Sequence, residues 1–275
     1  MSGRAPLRGR SPLGGCVLAL LLLGGGCQQS PPLPSPAPHQ VRYALAWARD
    51  DVTALPGGAG WTVTNDLGYV VRVTRGWVTS YSMELVECPK EALSRAARAG
   101  ALVWSTLEGE AWAGHATGTP NPAAIRPMQV ESLLEPVDRE VGAVTLAPQS
   151  YCKLHYLLAR AGREAPGLPA EVDMVDTSLH VDGSYRAPGA SANTPFSIHT
   201  ALAYGALFEH AGRDATALHI DTGIRGATVA VRRHRGRMFD GVDFAHMTER
   251  AVALQVLRAL VDHADVEVAA GDEAR

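Results

Sequence analysis

The chain has 275 residues, of which 46% are hydrophobic and 19% are charged, and its formal net charge is −3. This length and hydrophobic content are enough for one globular domain, or two small ones, with a buried core. The acidic balance excludes a nucleic-acid-binding protein that works by broad charge attraction.

The first 26 residues have the layout of a secretory signal. Three arginines precede the apolar run Val17–Leu23, and no acidic residue occurs before Cys27. This run is too short for a membrane-spanning helix, which needs about 20 apolar residues, so we expect cleavage. Removing residues 1–26 takes away three arginines and no acid, which changes the formal net charge from −3 to −6.

Cys27 follows three glycines, an arrangement that resembles the lipobox of bacterial lipoproteins. There the peptidase cuts before the cysteine, and the thiol carries diacylglycerol. LGGC, which ends at Cys16, also matches the box, but no hydrophobic core precedes it. We expect lipidation at Cys27; the alternative is an ordinary cleaved signal with Cys27 free or paired. Gln28 after the cysteine resembles lipoproteins of the outer membrane, so we expect an anchor there, facing the periplasm or the cell surface.

A proline-rich stretch separates this anchor from the body of the protein. Residues 27–40 include five prolines between Pro31 and Pro38, which forbid helix and favour an extended, semi-rigid tether. We assign one domain to residues 41–268 and a disordered tail to residues 269–275.

Apolar residues at alternate positions predict that most of this domain is strand. The first strand covers Val41–Ala48, and residues 61–88 predict three more, with turns at residues 65–68 and 75–76. The later predicted strands are Gly142–Leu146, Tyr151–Arg160, Met174–Tyr185, Phe196–Phe208, Leu218–Thr222 and Ala227–Arg233.

Two segments predict helices, and residues 107–127 predict a long loop rich in Gly and Pro. Lys90–Gly100 is rich in alanine, and Phe244–His263 has the three- and four-residue spacing of an amphipathic helix. With many strands and no βαβ alternation, the fold class is mainly β: an antiparallel β-sandwich with a short mid-chain helix and a C-terminal amphipathic helix.

The four cysteines support export. If Cys16 leaves with the signal and Cys27 carries lipid, Cys88 and Cys152 remain, an even number in an oxidising compartment. We expect a disulfide between them; the alternative is two buried free thiols.

The motifs that suggest catalysis or calcium binding are weak. LHIDTG, residues 218–223, resembles the aspartic protease loop, but that chemistry needs a second carboxylate, so we expect a turn at Asp221. MFDGVDF, residues 238–244, lacks the acid series of an EF-hand, and we expect Asp243 to cap the final helix. The common hydrolase, nucleotide and zinc-enzyme motifs do not occur, so we expect no enzyme.

Histidine is the remaining candidate for site chemistry. His115 lies in the predicted loop three residues after Trp112, and His155 is expected on a polar strand face with Tyr151. His199 and His180 lie on polar faces of their predicted strands. Two or three converging imidazoles suit copper or zinc, whereas solvated strand histidines are the structural alternative.

Four sequence blocks carry a resemblance to known proteins: residues 61–88, YCKLHYLLARA, MVDTSLHVDGSYRAPG and RMFDGVDF before a closing helix. Together they resemble a group of uncharacterised bacterial surface or periplasmic lipoproteins over residues 41–266. More distantly, they are similar to periplasmic β-sandwich proteins of the MbnP and MopE type, which bind copper through two histidines and an oxidised tryptophan. This resemblance implies a copper site, with Trp112, His115 and His155 as matching positions.

These patterns lead to one hypothesis and one alternative. The hypothesis is an exported, lipid-anchored, non-catalytic β-sandwich that binds a metal ion, with copper as the first candidate and Trp112, His115, His155 and His199 as candidate ligands. The alternative is a metal-free interaction or adhesion module of the envelope. Both the hypothesis and the alternative predict contact with a membrane through the N-terminal lipid, and neither predicts binding of nucleic acid.

Overall fold

The structure, a computed structural model, describes residues 39–49, 52–88, 121–209, 218–220 and 226–270. The predicted signal, Cys27, the predicted mid-chain helix, Trp112 and His115 lie outside the described residues, as does Asp221.

Two β-sheets and one helix make up the described chain. The strands are β1 (His39–Trp47), β2 (Thr53–Ala54), β3 (Trp61–Thr64), β4 (Val70–Glu87), β5 (Ala124–Ile125), β6 (Gln129–Ser132), β7 (Arg139–Leu146), β8 (Gln149–Leu158), β9 (Leu179–Arg186), β10 (Thr194–Thr200), β11 (Tyr204–Glu209), β12 (Leu218–Ile220), β13 (Gly226–Arg233) and β14 (Asp265–Ala270). Helix α1 covers Glu249–Asp262, and Pro56–Gly58 and Arg235–Arg237 are short 3₁₀ turns. The prediction of a mainly β sandwich with a C-terminal helix is confirmed.

The smaller sheet has the strand order β14-β13-β1-β7. The apolar residues of β1 and β13 alternate as predicted, and Val41, Tyr43, Val229 and Val231 are buried on one face. β1 pairs with β13 in parallel and with β7 in antiparallel register, so this sheet is mixed rather than purely antiparallel. β1 begins at His39, within the predicted tether, and β14 ends at Ala270, within the predicted tail.

The larger sheet is organised around β4, an 18-residue strand. The first half of β4 pairs with β3 and β9, and the second half pairs with β5, β6 and β8. β10 lies at one edge beside β9, while β11 and β12 pair with β8. One strand therefore connects both ends of this sheet.

The turn expected at residues 75–76 is wrong, because β4 continues through it. A register shift lies between Val73 and Arg75 in the pairing with β9, which identifies a β-bulge. After the bulge Gly76 faces Leu133, whose Cδ1 would lie 2.9 Å from an added Cβ, and Trp77 faces the other side of the sheet. The Arg-Gly pair thus bends a strand and does not end it.

Three other strand predictions need correction. The strand predicted over Met174–Tyr185 begins too early, because β9 starts at Leu179. Phe196–Phe208 is two strands, because the chain turns after Thr200, whose Oγ1 accepts a hydrogen bond from the Leu202 amide at 3.1 Å. Tyr151 is not on the polar face of β8: a second irregularity between Val86 and Glu87 changes the register, and Tyr151 is 1% exposed.

Cys88 and Cys152 form the predicted disulfide, with an S–S distance of 2.03 Å. The bond links the end of β4 to the start of β8, which are neighbouring strands. It also closes a long loop, because the two cysteines are 64 residues apart in sequence.

A buried ion pair joins the two sheets through the sandwich core. Arg233 of β13 occupies the inward position that follows Val229 and Val231, and its side chain is 0% exposed. Its Nη1 donates to Glu131 Oε1 at 2.6 Å and its Nη2 to Glu131 Oε2 at 2.7 Å. Burial alone would lower the pKa of Arg233, but the Glu131 carboxylate raises it, so the guanidinium stays charged.

Neighbouring side chains complete this buried network. Ser80 Oγ donates to Glu131 at 2.9 Å and lies 2.7 Å from the hydroxyl of Tyr156, whose pKa is raised by burial. The indole ring of Trp47 packs 4.0 Å from the Arg233 guanidinium carbon. Both Nη atoms of Arg233 and both carboxylate oxygens of Glu131 therefore have partners, whereas Arg233 Nε is buried without one among the described residues.

Helix α1 begins later than predicted. Its N-cap is Thr248, whose hydroxyl accepts a hydrogen bond from the Ala251 amide at 3.3 Å. Asp243, expected as the cap, lies five residues before it. The apolar face of α1 includes Val252, Val256 and Leu260 and packs against β10 and β11. No helix among the described residues is long and apolar enough to cross a membrane.

The Arg233–Glu131 pair generates a stability prediction. Changing Glu131→Leu leaves a buried guanidinium without its counter-ion, and we expect the free energy of unfolding to fall by about 3–5 kcal/mol. The double variant Glu131→Leu/Arg233→Met removes both charges and should recover most of that loss. Urea unfolding measures both changes, and a double variant as unstable as the single one would contradict the role given to the uncompensated charge.

Candidate functional site

The bulge in β4 positions a polar site on the outer face of the larger sheet. It places Arg75 opposite Asp182 and Trp77 opposite His180 in the pairing with β9. Without the extra residue, the alternation that buries Val71 and Val73 would turn Trp77 into the sandwich core. Instead Trp77 packs with a small second core, formed with Val130, Ala161, Ala165 and Met174.

Four side chains on β9 and β10 form what we call the histidine cluster: His180, Asp182, Ser197 and His199. In each strand the two residues are separated by one, so they share a face. The antiparallel register places His199 opposite His180 and Ser197 opposite Asp182. Two residues from each strand thereby meet.

Asp182 is the acceptor at the centre of this cluster. Ser197 Oγ donates to Asp182 Oδ1 at 2.7 Å, His180 Nε2 lies 3.1 Å from Oδ2, and Arg75 Nε lies 3.5 Å from it. Burial raises the pKa of Asp182, but the hydrogen bonds from Ser197 and His180 outweigh it and leave this pKa below its ordinary value. Asp182 is therefore an ionised acceptor at neutral pH.

The aromatic rings of the site form a row. The centroid of the Trp77 ring lies 6.0 Å from that of His180, which in turn lies 5.7 Å from that of His199. His180 Nδ1 is buried and has no hydrogen-bond partner among the described residues. Since Asp182 only accepts, His180 Nε2 carries the proton, and in the neutral ring Nδ1 carries the lone pair.

His199 is held by Thr177, in the loop before β9. Thr177 Oγ1 lies 2.8 Å from His199 Nε2 and 3.4 Å from the carbonyl oxygen of Val175, to which it donates. The preceding residue, Asp176, has a positive φ of 57°, which helps to place this loop. A hydroxyl beside an imidazole is one element of nucleophilic catalysis, but Thr177 is only 3% exposed.

The structure separates the two described residues of the expected metal set. His155 lies on β8 between Glu84 and Leu207, at the second half of β4, whereas His199 lies beyond β9 at the first half. Within the part of the chain that the structure describes, no three His, Cys, Asp or Glu side chains form a group able to hold a metal. The sequence indicates His180 as a histidine on a polar strand face. It does not indicate the pairing with His199, because that pairing depends on the register between β9 and β10.

A groove of about 640 Å³ lies between β10 and the start of α1. Its wall includes Tyr185 and Phe244, whose rings stack with centroids 4.4 Å apart, as well as Phe196 and Met247. His199 and the exposed Arg250 also line it. The groove thus combines aromatic rings with polar side chains and borders the histidine cluster.

The MFDGVDF segment contributes Phe244 to this groove and is fixed by polar contacts. Asn65 Nδ2 donates to the carbonyl oxygens of Phe239 and Val242, and the Tyr69 hydroxyl donates to Asp243 Oδ1 at 2.7 Å. Asp243 Oδ2 lies 2.8 Å from His246 Nδ1. Asp243 therefore anchors this segment and does not cap helix α1. Its carboxylate oxygens, which were considered as calcium ligands, contact Tyr69 and His246.

Comparisons with known proteins identify no relative: no family model, no curated protein and no solved structure matches this chain.

Asp243 generates a prediction about acid stability. Hydrogen bonds from Tyr69 and His246 lower the pKa of Asp243 to about 2. Because the folded-state pKa is depressed, its contribution to stability is present above the unfolded value of about 4 and is lost as the pH falls towards 2. We expect Asp243→Asn to lose less stability than wild type between pH 5 and pH 2 in urea unfolding.

The matched control is Glu164→Gln, because Glu164 is exposed and has no side-chain contact among the described residues. It should follow the wild-type pH profile. If Asp243→Asn also follows that profile, the Tyr69 and His246 hydrogen bonds do not stabilise the fold through this carboxylate.

Proposed function

We propose that this protein is an exported, lipid-anchored, non-catalytic β-sandwich of the bacterial envelope that binds a metal ion. The observation that carries the proposal is the Cys88–Cys152 disulfide between β4 and β8. Structural disulfides persist in oxidising compartments, where a protein with a signal-like N-terminus and a lipobox-like Cys27 would arrive. The outer membrane is the proposed location, with the proline-rich segment as tether.

The arrangement of polar side chains supports a role without catalysis. Ser197 Oγ donates to the Asp182 carboxylate and not to an imidazole, and the lowered pKa of Asp182 makes this carboxylate a weak base for activating a hydroxyl. Thr177 does contact His199, but its burial denies a substrate access to the hydroxyl. Glu131 and Arg233 are enclosed in the core and neutralise each other.

Metal binding is supported by the chemistry of the histidines. Imidazole nitrogen suits copper and zinc, and the resemblance described above implies copper. Trp112, His115 and His155 are the ligands that this resemblance implies, whereas His199, the fourth expected ligand, lies apart from His155 and belongs to the histidine cluster. We expect the mature protein, purified from envelopes, to retain copper or to take up Cu(I) at one ion per chain, as measured by elemental analysis. Protein that takes up neither Cu(I) nor Zn(II) would contradict this part of the proposal.

A second candidate is a metal-free interaction module, and the groove beside β10 favours it. β10 is an edge strand, and the groove next to it combines stacked aromatic rings with an exposed arginine. The metal assay separates the two candidates, because the module predicts no uptake and no effect of histidine substitutions on uptake.

The lipid anchor has its own test. Expressed in a bacterium and labelled with radioactive palmitate, wild-type protein should carry label and fractionate with the outer membrane. Cys27→Ala should lose the label, whereas Cys16→Ala, the matched control at the other lipobox-like cysteine, should keep it. Label retained by Cys27→Ala, or unprocessed protein with reduced thiols in the cytosol, would overturn the placement.

A further inference from the structure

His180 and His199 are cross-strand neighbours whose imidazole rings lie in contact, and His180 Nδ1 has no hydrogen-bond partner among the described residues. We propose that this pair binds one d¹⁰ transition-metal ion, Cu(I) or Zn(II), through the two Nδ1 atoms. The inference deepens the proposed metal-binding function and assigns it to residues other than Trp112, His115 and His155.

The separation of the rings fits a shared ion. An ion bound at about 2 Å from each nitrogen lies about 3 Å from each ring centre, so two rings that share it have centroids about 5–6.5 Å apart. The observed distance is 5.7 Å, with the rings inclined by 68°. This distance lies between the centroid separations expected for a tetrahedral and for a linear nitrogen–metal–nitrogen angle.

The outer partners of both rings direct Nδ1 towards metal binding. In protein metal sites the ligating histidine usually donates its other N–H to an oxygen, which fixes the ring and its tautomer. His180 Nε2 has the Asp182 carboxylate at 3.1 Å, and His199 Nε2 has Thr177 Oγ1 at 2.8 Å. Asp182 is itself held by Ser197 at 2.7 Å, so the orienting group is fixed as well.

The surroundings of His180 enclose its Nδ1 atom without giving it a hydrogen-bond partner among the described residues. Trp77 covers one side of the His180 ring, and the His180 side chain is only 13% exposed. A buried nitrogen without a partner costs about 1–3 kcal/mol, which coordination of an ion would offset. His199 is exposed at the sheet edge, which gives the ion an entry path.

The pair provides two protein ligands, since the described residues offer no group of three. Cu(I) is stable with two nitrogen ligands, whereas Zn(II) would complete four-coordination with solvent. Both ions are d¹⁰ and lack a geometric demand from d electrons, so both are suitable probes.

The test uses full-length lipidated protein in detergent with the disulfide intact. Cu(I), kept reduced with ascorbate, is titrated against a chromophoric chelator, and Zn(II) is titrated in parallel with a fluorescent competitor. We expect one ion per chain for at least one probe and at least tenfold weaker binding in His180→Ala and in His199→Ala. His263→Ala is the matched control, because it removes a half-buried histidine that belongs to neither ligand set, and it should bind as wild type.

Asp182 is a positioning residue in this proposal. Asp182→Asn keeps both imidazoles but weakens the orienting hydrogen bond, and we expect about 10–100-fold weaker binding, with partial recovery in Asp182→Glu. Imidazole ¹⁵N chemical shifts provide a readout that a merely structural role would not change. Metal should move the Nδ1 signals of His180 and His199 and leave the signals of His263 unchanged.

The outcomes separate this inference from the broader proposal. Binding that is lost in His155→Ala but kept in both cluster variants would overturn the pair and leave the original ligand set. No binding of either ion by folded wild-type protein would overturn both metal proposals, while palmitate labelling at Cys27 still tests export. Thermal unfolding of each variant identifies any that lose binding through loss of the fold.

Discussion

The sandwich depends on a charged contact at the point where its two sheets meet. Arg233 reaches from the smaller sheet to Glu131 in the larger one, and both side chains are almost completely buried. Such a pair is costly to desolvate, so it stabilises the fold only while both charges stay paired. Ser80 and Tyr156 accept further hydrogen bonds from the guanidinium, and the Trp47 ring packs against it. The pair therefore fixes which strand ends face each other more than it adds to net stability.

A single extra residue in β4 decides what the outer face of the larger sheet can do. The bulge after Val73 turns Trp77 outward, beside His180, and puts Arg75 within reach of Asp182. It also turns Gly76 towards the core, where the absence of a side chain leaves room for Leu133. The same irregularity thus serves core packing and builds the histidine cluster.

The residues with candidate chemistry follow two different physical rules. Glu131 and Arg233 neutralise each other in the core, whereas in the cluster Asp182 holds His180 in place and leaves one ring nitrogen without a partner. Arg233 Nε also has no hydrogen-bond partner among the described residues, but it is enclosed in the core, whereas His180 lies on the sheet beside the exposed His199. A ligand can therefore reach the cluster and not the core pair.

The sequence by itself determined the mainly β class, the C-terminal helix and the Cys88–Cys152 pairing, because side-chain alternation and cysteine count are local or countable properties. The alternation also indicated which positions of β13 face inward, although the last of these positions is occupied by Arg233 and not by an apolar residue. Only the tertiary structure decided that residues 75–76 bulge and do not turn, and that His180 meets His199 and not His155. Register and strand order are set by contacts between residues far apart in sequence, which periodicity along one strand does not encode.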